Sequence, residues 1–410
     1  MTVRQQLILV GGGHAHLEVV RQFAARPVRG ARISLISPSP LHHYSSVVPG
    51  YLQGQQDESD FTFDLPALCA VANVTFVQGY AEAVHASERS VEVRENVHSV
   101  AGTRRLSYDW LSIDVGSDPP GMDTPGVREF AMTLRPMSQA IALKQRLELD
   151  IANALAKRDE QGPHATRRPV LPVCIVGAGA GGVEVALAIA RRLRDAQVEG
   201  PITLIDQGPT ILADYSATFQ RRMTTLLTNR GVRVLTDRRV SAVTTDGVHL
   251  ANDTPIAASL KVWITGAAAP ALLRASDALT RDSHGYLLVD DTLTSTGDAR
   301  IWGAGDCITF RDHSPVAKAG VYAVREAPIL AYNLRAALEG RPLRHYTPQR
   351  RFLSILDTAD DRAMLRWRGV SVHAGWALTL KRWIDGRFVR KYQALAELVP
   401  RRRSHASDEY

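Results

Sequence analysis

Leu7-Ile8-Leu9-Val10-Gly11-Gly12-Gly13-His14-Ala15-His16 and Val173-Cys174-Ile175-Val176-Gly177-Ala178-Gly179-Ala180-Gly181-Gly182-Val183-Glu184 share one pattern. Each is an apolar run that breaks into glycines and then resumes as a helix-forming segment. The first glycine of such a turn bends the chain out of a strand. The second lets the backbone approach a pyrophosphate, and the third lets helix and strand pack closely. The helix that follows aims free N–H groups and its positive dipole end at the phosphates. Gly177, Gly179 and Gly182 fit the pattern in full. The earlier turn has Gly11 and Gly13 but carries His16 at the third position, which weakens the packing argument and leaves the phosphate argument intact. A lone glycine cluster is weak evidence. Two, well separated, imply two dinucleotides in one chain, and so electron transfer between them.

Working outward, Ile33-Ser34-Leu35-Ile36 reads as a second strand after a helix over 14–25. Strand-rich sequence runs over 74–98, with Val91, Val93 and Val97 alternating. Tyr108-Asp109-Trp110-Leu111-Ser112-Ile113-Asp114-Val115-Gly116-Ser117 is a strand that ends in a glycine turn. Pro119-Pro120 and Pro125-Gly126 mark a crossover. Ile141, Leu147, Ile151 and Leu155 give 137–158 helical spacing, with Gly162-Pro163 as its stop and Arg167-Arg168-Pro169 as a linker. The second unit continues through Ile202-Thr203-Leu204-Ile205-Asp206, a helix over 216–230 capped by Gly231, and strands near 232–235 and 260–264. After Gly285 the chain returns to the first unit at Ile301-Trp302-Gly303-Ala304-Gly305-Asp306. The fold class is therefore α/β, with one dinucleotide unit inserted in the other.

At 410 residues, about two or three domains are expected. No run of about 18 uninterrupted apolar residues occurs, so no spanning helix is predicted. The N-terminus enters a strand at once without a basic start, a long apolar stretch or a cleavage site, and reads as unprocessed and cytoplasmic. Cys69, Cys174 and Cys307 lie far apart, without C-x-x-C or metal spacing, so neither a disulfide framework nor a metal site is expected. Charge is unevenly spread. Residues 341–403 hold 15 Lys and Arg against 5 Asp and Glu, although the whole chain is only +7. A near-neutral body thus carries a basic C-terminal module, suited to an anionic membrane or partner. No motif that reads nucleic acid is present, so nucleic acid is not an expected partner.

The order of these motifs resembles the two-dinucleotide flavoproteins of the pyridine nucleotide-disulfide oxidoreductase superfamily, over about residues 5–345. Within it the chain is most similar to type II NADH dehydrogenases. Gly11-Gly12-Gly13-His14-Ala15-His16, Tyr44-Ser45-Ser46-Val47-Val48-Pro49-Gly50 and Lys318-Ala319-Gly320-Val321-Tyr322-Ala323-Val324-Arg325 sharpen the match. They also resemble the dehydrogenase-like module found ahead of selenide, water dikinase, although no kinase segment follows here. The resemblance implies an FAD-binding domain over 1–120 and 286–345, an NAD(P)H-binding domain over 121–285, and a C-terminal basic α+β region over 346–410. It assigns the FAD pyrophosphate to Gly11, Gly13 and His14. It matches Gly116 to an A-T-G-like segment in which Asp114-Val115 replaces Ala-Thr, and Gly305-Asp306 to the motif whose carboxylate contacts the ribityl–phosphate region. Relatives often end the second FAD strand in Glu or Asp to bind ribose. Ser37 stands there instead, and can hydrogen-bond ribose without charge assistance.

The expected activity is transfer of electrons from NADH through FAD to a quinone-type acceptor. A sulfide- or selenium-linked flavoprotein is the enzyme alternative, and a redox sensor the non-enzyme one. No cysteine pair is available to a thiol relay, whereas a quinone needs none. Asp206 ends the second strand of the nicotinamide unit, where a carboxylate accepts from a free ribose 2′-OH and repels a 2′-phosphate. No Arg adjoins it in sequence, so NADH is favoured over NADPH. Glu184 and Lys318 are the candidate catalytic residues. In relatives the glutamate lies near the nicotinamide–flavin contact, and otherwise Glu184 serves the helix dipole. Lys318, at a helix start after Pro315, would stabilise reduced flavin or lie solvated. The loop His42-His43-Tyr44 up to Pro49-Gly50 is expected either to contact the flavin or, for the histidines, to serve turn and packing roles. Trp376, Leu380, Trp383, Ile384, Phe388, Tyr392 and Leu395 fall on one helical face, flanked by Lys381, Arg382, Arg390 and Lys391, with Gly386 as a break point. That pattern suits a helix lying on an anionic membrane, at the inner face of the cell membrane, or else packed on the body or on the second subunit of a homodimer.

Overall fold

The computed structural model describes residues 5–95, 102–160, 168–251, 253–314 and 316–397. Val97, the Gly162-Pro163 stop, Arg167 and Pro315 lie outside them. Along the chain the first unit contains β1 (Gln5–Val10), α1 (His14–Ala25), β2 (Ala31–Ser37), β3 (Thr75–Gln78) and β4 (Trp110–Ile113). The next contains β5 (Met132–Thr133), α2 (Ser138–Asp159), β6 (Val173–Val176), α3 (Ala180–Asp195), β7 (Ile202–Ile205), α4 (Ala217–Asn229), β8 (Val232–Leu235) and β9 (Leu260–Trp263). There follow β10 (Ile301–Gly303), α5 (Gly320–Leu338), β11 (Ser354–Asp357), β12 (Ala363–Trp367), β13 (Val370–Ala374) and α6 (Gly375–Ala396).

Two parallel sheets result. One runs β10-β4-β1-β2-β3 and the other β5-β9-β6-β7-β8. Both are fully apolar at their centres: Leu7 to Val10 and Val173 to Val176 are buried, as strands covered on both faces must be. In each, the glycine turn leaves the strand where neighbours diverge to either side, β2 from β4 around β1 and β7 from β9 around β6. Such switch points form the ligand crevice of an open α/β sheet. β10 returns to the first sheet beside β4, so the second sheet is inserted in the chain of the first.

The C-terminal strands β11, β12 and β13 form an antiparallel sheet, and α6 packs across it toward the first unit. Here the structure corrects the expected helix face. Gly386 does not break α6, which runs unbroken from Gly375 to Ala396. The apolar stripe divides in two. Phe388 stacks on Tyr44 with ring centroids 4.3 Å apart, and Tyr392 is buried and donates to Glu18 Oε2 at 3.1 Å. Trp376 and Trp383 remain 56% exposed. Lys381, expected on the solvated flank, is buried. The helix thus docks along its length by one face, through Ala377, Leu378, Lys381, Asp385, Val389 and Tyr392, and leaves Trp376, Trp383 and Ile384 on the outer face.

This division has a measurable consequence. Tyr392→Ala opens a cavity and leaves Glu18 short of a donor, so it should cost about 3 kcal/mol. Trp383→Ala should stay within about 0.5 kcal/mol of wild type. Urea denaturation followed by tryptophan-independent circular dichroism compares the two.

Candidate active site at the crevice of the two glycine turns

Gly11 has φ +97°, and a Cβ there would stand 2.2 Å from the Asp114 carbonyl oxygen. A Cβ on Gly13 would stand 2.4 Å from the Asp114 carboxylate. That carboxylate accepts from the Ala15 N–H at 2.8 Å and the His16 N–H at 3.0 Å, so Asp114 caps α1. The N–H groups of Gly12, Gly13 and His14 have no hydrogen-bond partner among the described residues. They are the free donors that a dinucleotide diphosphate requires, so the turn fits the group the sequence implies. His16 explains the absent third glycine. Its buried ring bridges Gly11 O at 2.6 Å and Ser112 Oγ at 2.8 Å, and burial lowers its pKa to about 4. A neutral imidazole thus fills the space between α1 and β4.

Ser37 is buried and donates its hydroxyl to Ser39 O at 2.9 Å, which leaves the oxygen only as an acceptor. His14 and His42 meet edge to face at 4.8 Å, and His14 also touches Tyr44 and Phe388. Burial holds His14 at about 4 and His42 well below its usual range. The His42-Tyr44 segment therefore packs on α6, a role the sequence left open. Pro49 begins the short buried helix Val48–Leu52, and Gly116 turns with φ +72° into open space.

The third motif closes onto the first turn. The Gly305 N–H, at φ +74°, donates to Glu326 Oε2 at 2.6 Å. Asp306 accepts from Ser117 at 3.2 Å. Burial raises Asp114 to about 7, with Asp306 adding to the shift, and Glu326 to about 8, with Asp114 and Asp306 adding to it. Lys318 lies two residues ahead of α5, and not on it as expected. Its ammonium lies 3.9 Å from the Tyr286 ring centroid, donates to Ile308 O, and is held below the usual lysine range by desolvation. Lys318, Asp306 and Glu326 line one small cavity.

In the second turn, Gly177 has φ +106° and a Cβ would stand 2.2 Å from Ile264 O; one on Gly182 would stand 1.8 Å from Gly177 O. Gly179 faces open space. The turn is therefore shut behind and open in front. Asp206 spans it: Oδ2 accepts from the Ala178 N–H at 2.6 Å and Oδ1 from the Gly208 N–H at 2.8 Å. Each oxygen retains a lone pair for a ribose hydroxyl. An arginine does stand nearby in space, since Arg238 N donates to Asp206 O, but its guanidinium pairs with Asp253 at 3.2 Å.

Glu184 leaves α3 toward the C-terminal module. Its Oε1 accepts from the Asp357 N–H at 2.8 Å, and burial raises it to about 8, with Lys381 opposing. Next to it the Lys381 ammonium donates to Ser46 O at 2.6 Å, Ser46 Oγ at 2.8 Å and Asp385 Oδ2 at 2.8 Å. Asp357 accepts from Gln53 at 3.2 Å. Ser46, Gly50, Asp357, Lys381 and Asp385 share a second cavity. Sequence reasoning missed this network. The Lys381/Asp385 spacing of four residues was its only local signal.

The cysteines do not meet. All three are free and buried, and burial pushes each thiol up to about 12. Among the described residues no cluster suits a metal ion.

Comparison with known proteins agrees with this geometry. The demethylphylloquinone reductase of Synechocystis sp. is 28% identical over 77% of this chain and 74% of its own. The type II NADH:quinone oxidoreductase of Haemophilus influenzae is 23% identical over 83% of this chain and 82% of its own. The sulfide:quinone oxidoreductase of Aquifex aeolicus shares the fold, with a TM-score of 0.77 at 18% identity over 95% of this chain and 92% of its own. The family model for pyridine nucleotide-disulphide oxidoreductases matches residues 5–327. The chain, with its two parallel sheets and paired glycine turns, belongs to that family.

Proposed function

We propose that the chain is an FAD-dependent NADH dehydrogenase that reduces a quinone-type acceptor at a membrane surface. The observation that carries the reading is the pair of glycine turns at switch points, the first with free amides, together with a Glu184–Lys381 network and no usable thiol. Gly11, Gly13, His14, Ser37, Pro49, Gly116, Gly305 and Asp306 would hold FAD. Gly177, Gly179, Gly182 and Asp206 would hold NADH. A bound flavin accepts a hydride and returns electrons one or two at a time. Reducing a quinone with NADH consumes one further proton. Glu184, kept protonated near neutrality by burial, can hold it behind Asp357, which lines the cavity, and Lys381 offsets the charge left behind. Lys318 would place positive charge at the other cavity. Buried, high-pKa thiols oppose a sulfide relay.

Membrane docking is supported by the outer face of α6. Trp376, Trp383 and Ile384 are exposed beside Arg382 and Arg387, and Trp367 and Val370 are exposed on the hairpin that precedes the helix. An apolar, Trp-bearing face rimmed with cations suits a bilayer interface. No helix among the described residues is long and apolar enough to cross a membrane. A second copy of the chain is the competing occupant. The described part of α6 keeps the charge argument, whereas Arg401, Arg402 and Arg403 lie outside it.

Anaerobic NADH should bleach the flavin, and a panel of quinones should restore it with steady turnover. A triple cysteine-to-alanine variant that folds should turn over within about threefold of wild type. Loss of turnover in a flavin-loaded triple variant sinks the direct-acceptor reading.

Glu184 also sets a pH signature. Its folded pKa lies above the usual carboxyl value, so it costs stability as pH rises from the unfolded pKa toward about 8. Glu184→Gln should flatten the fall of melting temperature over that window and lower quinone reduction by at least about tenfold. Equal slopes in both proteins count against the buried acid.

Liposome co-sedimentation should rise with anionic lipid and fall with salt. The double variant Trp376→Ser/Trp383→Ser should abolish it while sparing NADH-dependent bleaching. Binding that survives the double variant assigns the patch to another role.

A further inference from the structure

Glu326 lies on α5 and is 1% exposed, yet it makes no ion pair among the described residues. Its hydrogen bond is to backbone: Oε2 accepts from the Gly305 N–H at 2.6 Å, where the chain turns into Asp306. Oε1 has no hydrogen-bond partner among the described residues, and Glu326 lines the cavity that Asp306, Lys318 and Tyr322 share. Lys318 does not pair with it, because the ammonium donates to Ile308 O and lies over the Tyr286 ring. Asp114 at the end of β4 and Asp306 in the turn add negative charge around Gly305. Arg325 and the phenols of Tyr322 and Tyr346 are the other titratable groups nearby. α1 packs along α5, and its buried titratable groups are the neutral His16 and Glu18, which Arg21 and Lys391 hold.

A buried carboxylate without a cation is costly, so the neutral acid is the stable form. Burial accordingly raises Glu326 to about 8. The two forms offer different groups. The neutral acid accepts from Gly305 and carries an O–H donor on its free oxygen, whereas the carboxylate only accepts. Ionisation also sets a further negative charge beside Asp114 and Asp306, where a dinucleotide brings two phosphates. We propose that Glu326 is a positioning residue of the flavin site: as the neutral acid it holds the Gly305–Asp306 turn against bound FAD, and as the carboxylate it weakens that binding. It acts through the Gly305 amide and not by touching flavin. Flavin retention is thereby linked to one proton, which the acid takes up when FAD binds the ionised protein. This rests on the dinucleotide reading above, and goes beyond it in naming the residue, and the protonation state, that the third motif depends on.

The test measures the Kd of the full-length protein for FAD as pH is raised. Binding by wild type below neutrality tests the dinucleotide reading itself; the pH dependence of the ratio of wild type to variant tests Glu326. Glu326→Gln keeps an acceptor for Gly305 and a donor on the other atom, and cannot ionise. It should match wild type at low pH, and the wild-type Kd should climb to at least about fivefold above it beyond the folded pKa of the acid. Titration of Asp114 and Lys318 is common to both proteins, so the ratio isolates Glu326. Glu326→Leu, which removes the acceptor, should raise the Kd at least about fivefold already at low pH, where Glu326→Gln does not. If Glu326→Gln does not fold, calorimetry of FAD binding to wild type in buffers of different ionisation enthalpy replaces it, and proton uptake should grow as pH passes the folded pKa. Parallel curves for wild type and Glu326→Gln, or no proton uptake by wild type, overturn the link to the proton. Wild-type affinity in Glu326→Leu at low pH overturns the positioning contact.

Discussion

Everything on the flavin side hangs from one carboxylate. Asp114 extends from β4 and takes the backbone N–H groups of Ala15 and His16, so a charge-assisted cap occupies the first turn of α1. Its oxygens also stand where a Cβ on Gly13 or Gly305 would come within 2.4 or 3.0 Å. The first turn, the third motif and the strand between them are thereby fixed against one group. The glycines are required less for their own flexibility than because Asp114 fills the space a side chain would need. The cost is a carboxylate without a cation: burial raises its pKa to about 7, as expected when desolvation outweighs two amide hydrogen bonds. Anionic phosphates brought to the free amides of Gly12 to His14 would add to that cost unless a positive group stood close by.

The parts legible in the sequence were local ones. Both turns, the parallel strands around them and the return at Gly305 follow from apolar runs ending in glycine, because strand, turn and helix N-terminus are contiguous. Asp114 was visible only as a departure from Ala-Thr, since the amides it caps are 98 and 99 residues away. The Lys381–Ser46 contact spans 335 residues, and no periodicity announces it. Lys381 read as a solvated flank of an amphipathic helix because spacing says which residues share a face and not what that face meets. His16 read as a defect. In space it is a substitute, trading a close backbone approach for a ring with two hydrogen bonds.

The C-terminal module gives that long-range contact its purpose. α6 is pinned to the first unit through Glu18, which receives Tyr392 and Lys391, and through Ser46, which receives Lys381. β11 is pinned to the inserted unit where the Asp357 N–H meets Glu184. One short module therefore holds both nucleotide units, on the side of the crevice opposite the Asp114 cap. Because the Asp357 N–H donates to Glu184, the acid from α3 is positioned by a strand outside both glycine turns. The same helix that buries Lys381 and Asp385 at the cavity exposes Trp376 and Trp383 on its outer face. One helix therefore carries an exposed aromatic pair on its outer face and the buried Lys381–Asp385 pair on its inner face.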